Sequence, residues 1–182
     1  MTDEELIKKC TCGDLLAQKT FYEKFAGKML GVCLRYMNGS DEAHDVLQDG
    51  FVKVFDNLTK YQKKGSLEGW VRRIIVNTAL DQIRKNKKFI DNVEVNSVSY
   101  LLNDTSFIVE ELEAEDLLKV INDLPVGYKI VFNLFAIEGY SHKEIANQLG
   151  ITESTSKSQY SRARKILRAV LLKNEYVEEG ER

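Results

Sequence analysis

The chain has 182 residues, 43% of them hydrophobic, with 26 Lys and Arg against 28 Asp and Glu for a net charge of −2, enough for one domain or two small ones with real cores. No run of 18 apolar residues occurs and the start, MTDEEL, is acidic where a secretory signal is basic, so a cytoplasmic protein without membrane insertion is expected. Three cysteines, an odd number, argue against a disulfide framework; Cys10 and Cys12 form a lone CxC, His44 and His142 stand isolated, and neither a metal nor another cofactor is expected.

The small net charge hides a segregated pattern. Residues 41–56 carry five acids against Lys53, residues 60–88 nine bases against two acids, residues 91–123 nine acids against Lys119, and residues 157–173 six bases and no acid. Two basic segments parted by an acidic one suit two modules that touch one polyanion while the strip between them does not.

In chain order, residues 3–11 read as a short helix with Leu6 and Ile7 inward, broken at Gly13-Asp14. A second helix is expected from Leu15 to Met37, with Leu16, Phe21, Phe25, Met29, Val32 and Tyr36 near helical spacing. After the turn Asn38-Gly39-Ser40, Ser40 or Asp41 caps a helix to Leu58 whose inward set is Ala43, Leu47, Phe51, Val54, Phe55 and Leu58. Its other face shows Asp45, Gln48, Asp49 and Lys53, which from the residues alone is an ordinary soluble surface.

The polar segment from Lys60 to Gly65 leads to Ser66, the expected cap of a helix to about Lys87. Leu67, Trp70, Val71, Ile74, Thr78 and Ile83 are placed toward the core, and Arg72, Arg73, Asn77, Asp81, Arg84 and Lys85 outward. A basic helix behind a basic aromatic loop fits single-stranded nucleic acid, since cations follow phosphates while an aromatic face or pocket takes an unstacked base; a solvated face is the alternative.

Residues 89–106 lack periodicity and read as a linker. A helix from about Val109 to Leu124 follows; Pro125 then opens another at its first turn, with Ile130, Val131, Leu134, Phe135 and Ile137 apolar, ending at Gly139. Ser141 and Glu144 form a capping box for a helix bearing Ile145, Ala146 and Leu149 on one face, Gly150 stops it, and Thr152 caps a second helix through Val170. Two short helices joined by a tight turn make a helix-turn-helix. The second of them is expected to show Lys157, Ser158, Gln159, Ser161, Arg162 and Arg164 to solvent, types suited to base edges and phosphates in the major groove, while Tyr160, Ala163, Ile166 or Leu167, and Val170 pack inward. The fold expected is all-α, two small helical bundles joined by a flexible acidic linker: residues 1–90, linker 91–110, helix-turn-helix domain 111–174 and a frayed acidic tail 175–182.

The order of these parts resembles a bacterial sigma factor of the sigma-70 family, in its short extracytoplasmic-function (ECF) group. The likeness spans about residues 5–172 and rests on DEAHDVLQDGFVKVFDNL, on GWVRRIIVNTALDQIRK and on LPVGYKIVFNLFAIEGYSHKEIANQLGITESTSKSQYSRARKIL. The resemblance implies a promoter-specificity subunit, without catalysis of its own, that initiates transcription. Asp45, Gln48 and Asp49 match the segment that docks on the clamp helices of the largest subunit of core RNA polymerase. Tyr61, Lys63, Lys64, Gly65 and Ser66 of the loop, with Arg72, Arg73, Asn77 and Arg84 of the helix behind it, match the reader of the −10 element, where the loop holds a base flipped from the non-template single strand and Asn77 helps read its neighbour. Lys157, Ser158, Arg162 and Arg164 match the helix that enters the −35 duplex. An anti-sigma factor is a further partner plausible for the group. The chain departs from the family at Ser156, where an apolar residue is usual, at Gln159, where a basic one is common, and at Cys10 and Cys12. A free-standing helix-turn-helix regulator is the rival reading, and an enzyme with a DNA-binding appendage a remote third.

Overall fold

The computed structural model describes residues 2–90 and 114–179, and every element in them is helical. The chain forms two compact units, Met1–Val93 and Glu94–Arg182. The stretch read as an acidic linker, residues 91–110, lies outside the described residues.

In the first unit, α1 (Asp3–Thr11) starts with a capping box between Thr2 and Glu5 and buries Leu6 and Cys10, with Ile7 half-buried. Helix α2 (Leu15–Leu34) is capped by the Asp14 carboxylate, which accepts from the Leu16 and Ala17 N–H groups at 2.9 and 3.1 Å. That cap fixes the phase of the helix. Ala17, one turn before Phe21, takes the inward position, and Leu16, expected inside, is 78% exposed. The helix also ends earlier than its apolar spacing predicts, because its last turn tightens: the Tyr36 N–H bonds the Cys33 carbonyl at 3.0 Å. Tyr36 and Met37 are buried all the same.

Helix α3 (Ser40–Asn57) begins after Gly39 with no side-chain cap; Ser40 lies inside it, its hydroxyl 3.4 Å from His44 Nδ1. It buries Ala43, Val46, Leu47, Gly50, Phe51 and Val54, a wider stripe than expected, while Phe55 is half-buried against Phe21, ring centres 5.6 Å apart. A 3₁₀ turn (Leu58–Lys60) buries Leu58. Helix α4 (Leu67–Ile90) packs on both α2 and α3, so one narrow apolar stripe cannot serve it. Ile75, Val76, Ala79 and Leu80 join Leu67, Val71 and Thr78 in the core, whereas Trp70, Ile74 and Ile83, expected inward, are only half-buried.

The α3–α4 crossing is close at one point: a Cβ on Gly50 would stand 2.4 Å from Ile75 Cδ1. Ile75 is fully buried and has little room to turn away. Gly50→Ala gains up to about 1 kcal/mol of helix propensity against an overpacking cost of about 1–3 kcal/mol, so we expect net destabilisation of about 1 kcal/mol by urea unfolding. Adding Ile75→Val, which removes Cδ1, should recover part of it; unchanged stability in Gly50→Ala would contradict this packing.

All three cysteines are free. Cys33 is buried between the helices, and burial pushes its thiol up to about 12; burial also raises Cys10. Both stay protonated at neutral pH, which suits apolar packing rather than redox chemistry.

In the second unit, α5 (Ala114–Asn122) precedes Pro125, which is the N-cap of α6 (Val126–Phe132) rather than its first residue. The chain continues as one π-helical turn (Asn133–Ile137). Helix α7 (His142–Leu149) has the expected capping box, Ser141 with Glu144, and buries Ile145 and Ala146. Gly150 closes it in the left-handed conformation (φ 67°, ψ 33°), and both its own N–H and that of Ile151, the latter at 3.1 Å, reach the Ala146 carbonyl. Helix α8 (Glu153–Glu179) follows, its N-terminus capped by Thr152, whose hydroxyl accepts from the Thr155 N–H at 3.0 Å. The tail read as frayed from Glu175 is helical through Glu179. Val120, Ile121 and Leu124 pack on Ala163 and Leu167, closing a core that fixes α8 against the α5–α6 layer.

Candidate functional site

Three surfaces carry the residues that the sequence singled out. On α3 the inward stripe leaves Asp45, Gln48 and Asp49 exposed on the opposite side, one turn apart. Val52, one further turn on, is 59% exposed and adds an apolar step to this carboxylate face. Sequence reading missed Val52; its spacing of seven from Asp45 was the available signal.

The second surface lies in the same unit. The loop before α4 is tied shut by Tyr61, whose hydroxyl donates to the Gly65 carbonyl at 2.9 Å while its ring lies 5.5 Å from that of Trp70. Gly65 sits at φ 95° and Lys63, a non-glycine, at φ 58°, a left-handed setting that costs about 1–2 kcal/mol and turns the Lys63 side chain outward. Its ammonium pairs with Glu4 of α1 at 2.7 Å. Ser66 Oγ accepts from the Gly69 N–H at 3.0 Å and starts α4. Lys64 and Ser66 are exposed.

Along α4, Arg73, Asn77 and Arg84 are exposed as expected, but Arg72 is half-buried, its Nε fully covered. It is therefore part wall, part surface. Asn77 lines a cleft of about 350 Å³ with Lys53, Asn57, Lys60, Trp70, Ile74, Thr78 and Asp81. The end of α3 supplies Lys53 and Asn57; helical periodicity within α4 alone gave no signal for them. Asp81 bonds Arg84 at 3.0 Å and Lys53 at 3.4 Å. These pairs are about half exposed and worth about 0–1 kcal/mol, so an incoming phosphate can replace the carboxylate cheaply. An aromatic wall, two amides and two lysines around one cleft can accept an unstacked base together with its backbone.

The third surface is α8. Lys157, Ser158, Ser161, Arg162 and Arg164 are exposed, with Ala163 and Leu167 buried behind them. Gln159 is half-buried instead, its carboxamide lying over Gly127, 3.4 Å from where a Cβ would stand. Arg162 donates to the Tyr128 hydroxyl at 3.3 Å, and the Arg164 guanidinium lies 5.9 Å from the Tyr160 ring centre. Lys157 pairs with Glu153 at 2.7 Å, and its hydrogen bond holds that carboxyl below its usual range. Ser158 Oγ donates back to the Thr155 carbonyl at 2.9 Å. Ser156 is fully buried. The cationic side chains of α8 thus start from defined positions rather than from free solution.

Among the described residues no group of three His, Cys, Asp or Glu is placed to hold a metal ion, and no helix is long and apolar enough to cross a membrane.

Comparison with known proteins matches two family models in order along the chain, Sigma-70 region 2 at residues 21–89 and Sigma-70, region 4 at residues 114–167. The ECF RNA polymerase sigma-E factor of Haemophilus influenzae is 25% identical over 178 residues, covering 92% of this chain and 94% of its own. The RNA polymerase sigma factor SigV of Bacillus subtilis is 27% identical over 140 residues, covering 77% and 82%. Among solved structures, the sigma factor RpoE of Bartonella quintana, in complex with the anti-sigma factor NepR, has a TM-score of 0.56 at 24% identity, over 84% of this chain and 95% of that one. CnrH, in complex with the cytosolic domain of CnrY, has a TM-score of 0.51 at 20% identity, over 93% and 96%. Both likenesses show the same helical fold. With region 2 on the first unit, region 4 on the second and relatives of matching length on both sides, the chain belongs to the ECF group of the sigma-70 family of RNA polymerase sigma factors.

Proposed function

We propose that this sigma factor divides its work among the three surfaces. Residues 1–90 bind core RNA polymerase and the −10 element, residues 111–174 bind the −35 element, and residues 91–110 connect them. Asp45, Gln48 and Asp49 meet the clamp helices of the polymerase largest subunit, where complementary charge speeds encounter and fixes register. Tyr61, Lys63, Lys64, Gly65, Ser66, Arg72, Arg73, Asn77 and Arg84 take the non-template single strand at −10. Lys157, Ser158, Gln159, Ser161, Arg162 and Arg164 face the −35 duplex.

The observation that carries this reading is the cleft at Asn77, a recess of about 350 Å³ with an aromatic wall beside a cationic helix, on the same chain as a helix-turn-helix. Opening DNA costs about 1.4 kcal/mol per base-pair step in stacking, and capturing a base returns about 1–3 kcal/mol. One or two captured bases therefore nucleate melting, and polymerase contacts stabilise the rest. The chain needs no hydrolysis for this and is not itself an enzyme. It acts in the cytoplasm, where polymerase and promoter DNA are. The anti-sigma factor bound to RpoE of Bartonella quintana supports an anti-sigma factor as a further partner.

Co-purification separates this reading from a free-standing helix-turn-helix regulator. A tagged full-length chain mixed with core RNA polymerase should elute with it as one complex. Elution apart from polymerase, with duplex binding retained, would favour the regulator.

A further inference from the structure

One polar pair, Ser156 buried and His142 half-buried, bridges the two helices of the helix-turn-helix. Ser156, in the first turn of α8, is fully buried, and its hydroxyl lies 2.9 Å from Nδ1 of His142, the first residue of α7. The imidazole lies flat on Phe135, ring centres 4.2 Å apart at 12°, and edge-on to Tyr160 at 5.8 Å. Phe135 and Tyr160 also touch, at 4.5 Å. The π-helical turn, α7 and α8 therefore meet around one ring.

Apolar contacts alone tolerate rotation of one helix on another, because burial is non-directional. A hydrogen bond is not tolerant in this way; it weakens steeply as its angle closes. Ser158 and Arg162 follow Ser156 by two and six residues on the same helix, so the setting of Ser156 determines which way they project. The aromatic clamp on His142 in turn fixes where Ser156 must point.

We propose that His142 and Ser156 are positioning residues for −35 recognition: their hydrogen bond sets the rotation of α8 on α7, and thereby which base edges Ser158 and Arg162 meet. The proposal rests on the reading of α8 as the −35 helix and adds residues that touch no DNA.

The test measures binding of the full-length chain to a set of −35 duplexes that differ one base pair at a time, alongside thermal unfolding. The variants are Ser156→Ala, His142→Phe, both together, and His142→Phe with Ser156→Val. Each single substitution should lower affinity for the preferred duplex about tenfold and flatten the base preferences. The salt slope should stay unchanged, since phosphate contacts remain. The first double variant should be no worse than either single one, as expected for two partners of one bond. The second double variant, His142→Phe with Ser156→Val, refills the seam with apolar groups; it should unfold at the wild-type temperature and still show altered preferences. Wild-type preferences in that second double variant, or in Ser156→Ala, would overturn the proposal and leave the pair a matter of packing. A wild-type chain with no base preference on any duplex would instead overturn the reading of α8, and the positioning role with it.

Discussion

Replacing Asp45 by Arg together with Gln48 by Ala should lower the affinity for core RNA polymerase on the order of a hundredfold, a loss of about 2.7 kcal/mol. The size follows from charge reversal: a carboxylate that favours a basic partner becomes a cation that opposes it, and like charges across an interface cost several kcal/mol. Both side chains are exposed on α3 and face away from Ala43, Leu47 and Phe51, so stability should change by no more than about 0.5 kcal/mol. Binding to a −35 duplex should also be unchanged, because α8 belongs to the other unit. Titration of labelled chain with core enzyme, at two salt concentrations, measures the effect. Wild-type affinity in the double variant would show that this face of α3 does not dock.

A contrast between two single substitutions is the second large effect. Asn77→Ala should slow or weaken open-complex formation by about 10- to 100-fold, corresponding to about 1–3 kcal/mol of base capture, with duplex binding intact. Arg162→Ala should do the reverse, weakening −35 duplex binding by about 1–3 kcal/mol and relaxing its base preferences. The geometry gives reasons for the difference. Asn77 lines a cleft that can take a base only once it has left the duplex stack. Arg162 is held by Tyr128 on a continuous helix, a shape the major groove admits. Permanganate footprinting reads melting, and anisotropy with a −35 duplex reads binding. If both substitutions weaken duplex binding equally, the two surfaces do not have separate roles.

Local signals in the sequence reported most of the helices, and tertiary ones account for the differences. Three capping expectations hold: Ser141 with Glu144, Ser66, and Thr152 each stand where the pattern puts them, because a cap depends only on neighbours three residues away, whereas α3 starts after Gly39 with neither Ser40 nor Asp41 as its cap. Burial on α4 was harder to read. Packing against two helices recruits Ile75, Val76, Ala79 and Leu80, and a single-stripe pattern selects Trp70, Ile74 and Ile83 in their place. Leu16 illustrates the same limit on α2, since the phase set by Asp14 overrides an apolar side chain's own preference. At the surfaces, the exposed cations were legible from composition. The cleft was not, because Lys53 and Asn57 come from α3 and Lys60 from the turn after it. Ser156 stood out as an unusual residue, but only the fold supplies its partner, His142, 14 positions away.

Run-off transcription tests the central claim most directly. Core RNA polymerase that initiates nowhere specific by itself is supplied with the purified full-length chain and a library of promoter templates, and the transcripts are mapped. Discrete start sites that share two upstream elements, lost when Asn77 or Arg162 is replaced by Ala, are the predicted result. No specific initiation on any template, from a chain shown to be folded, would contradict it.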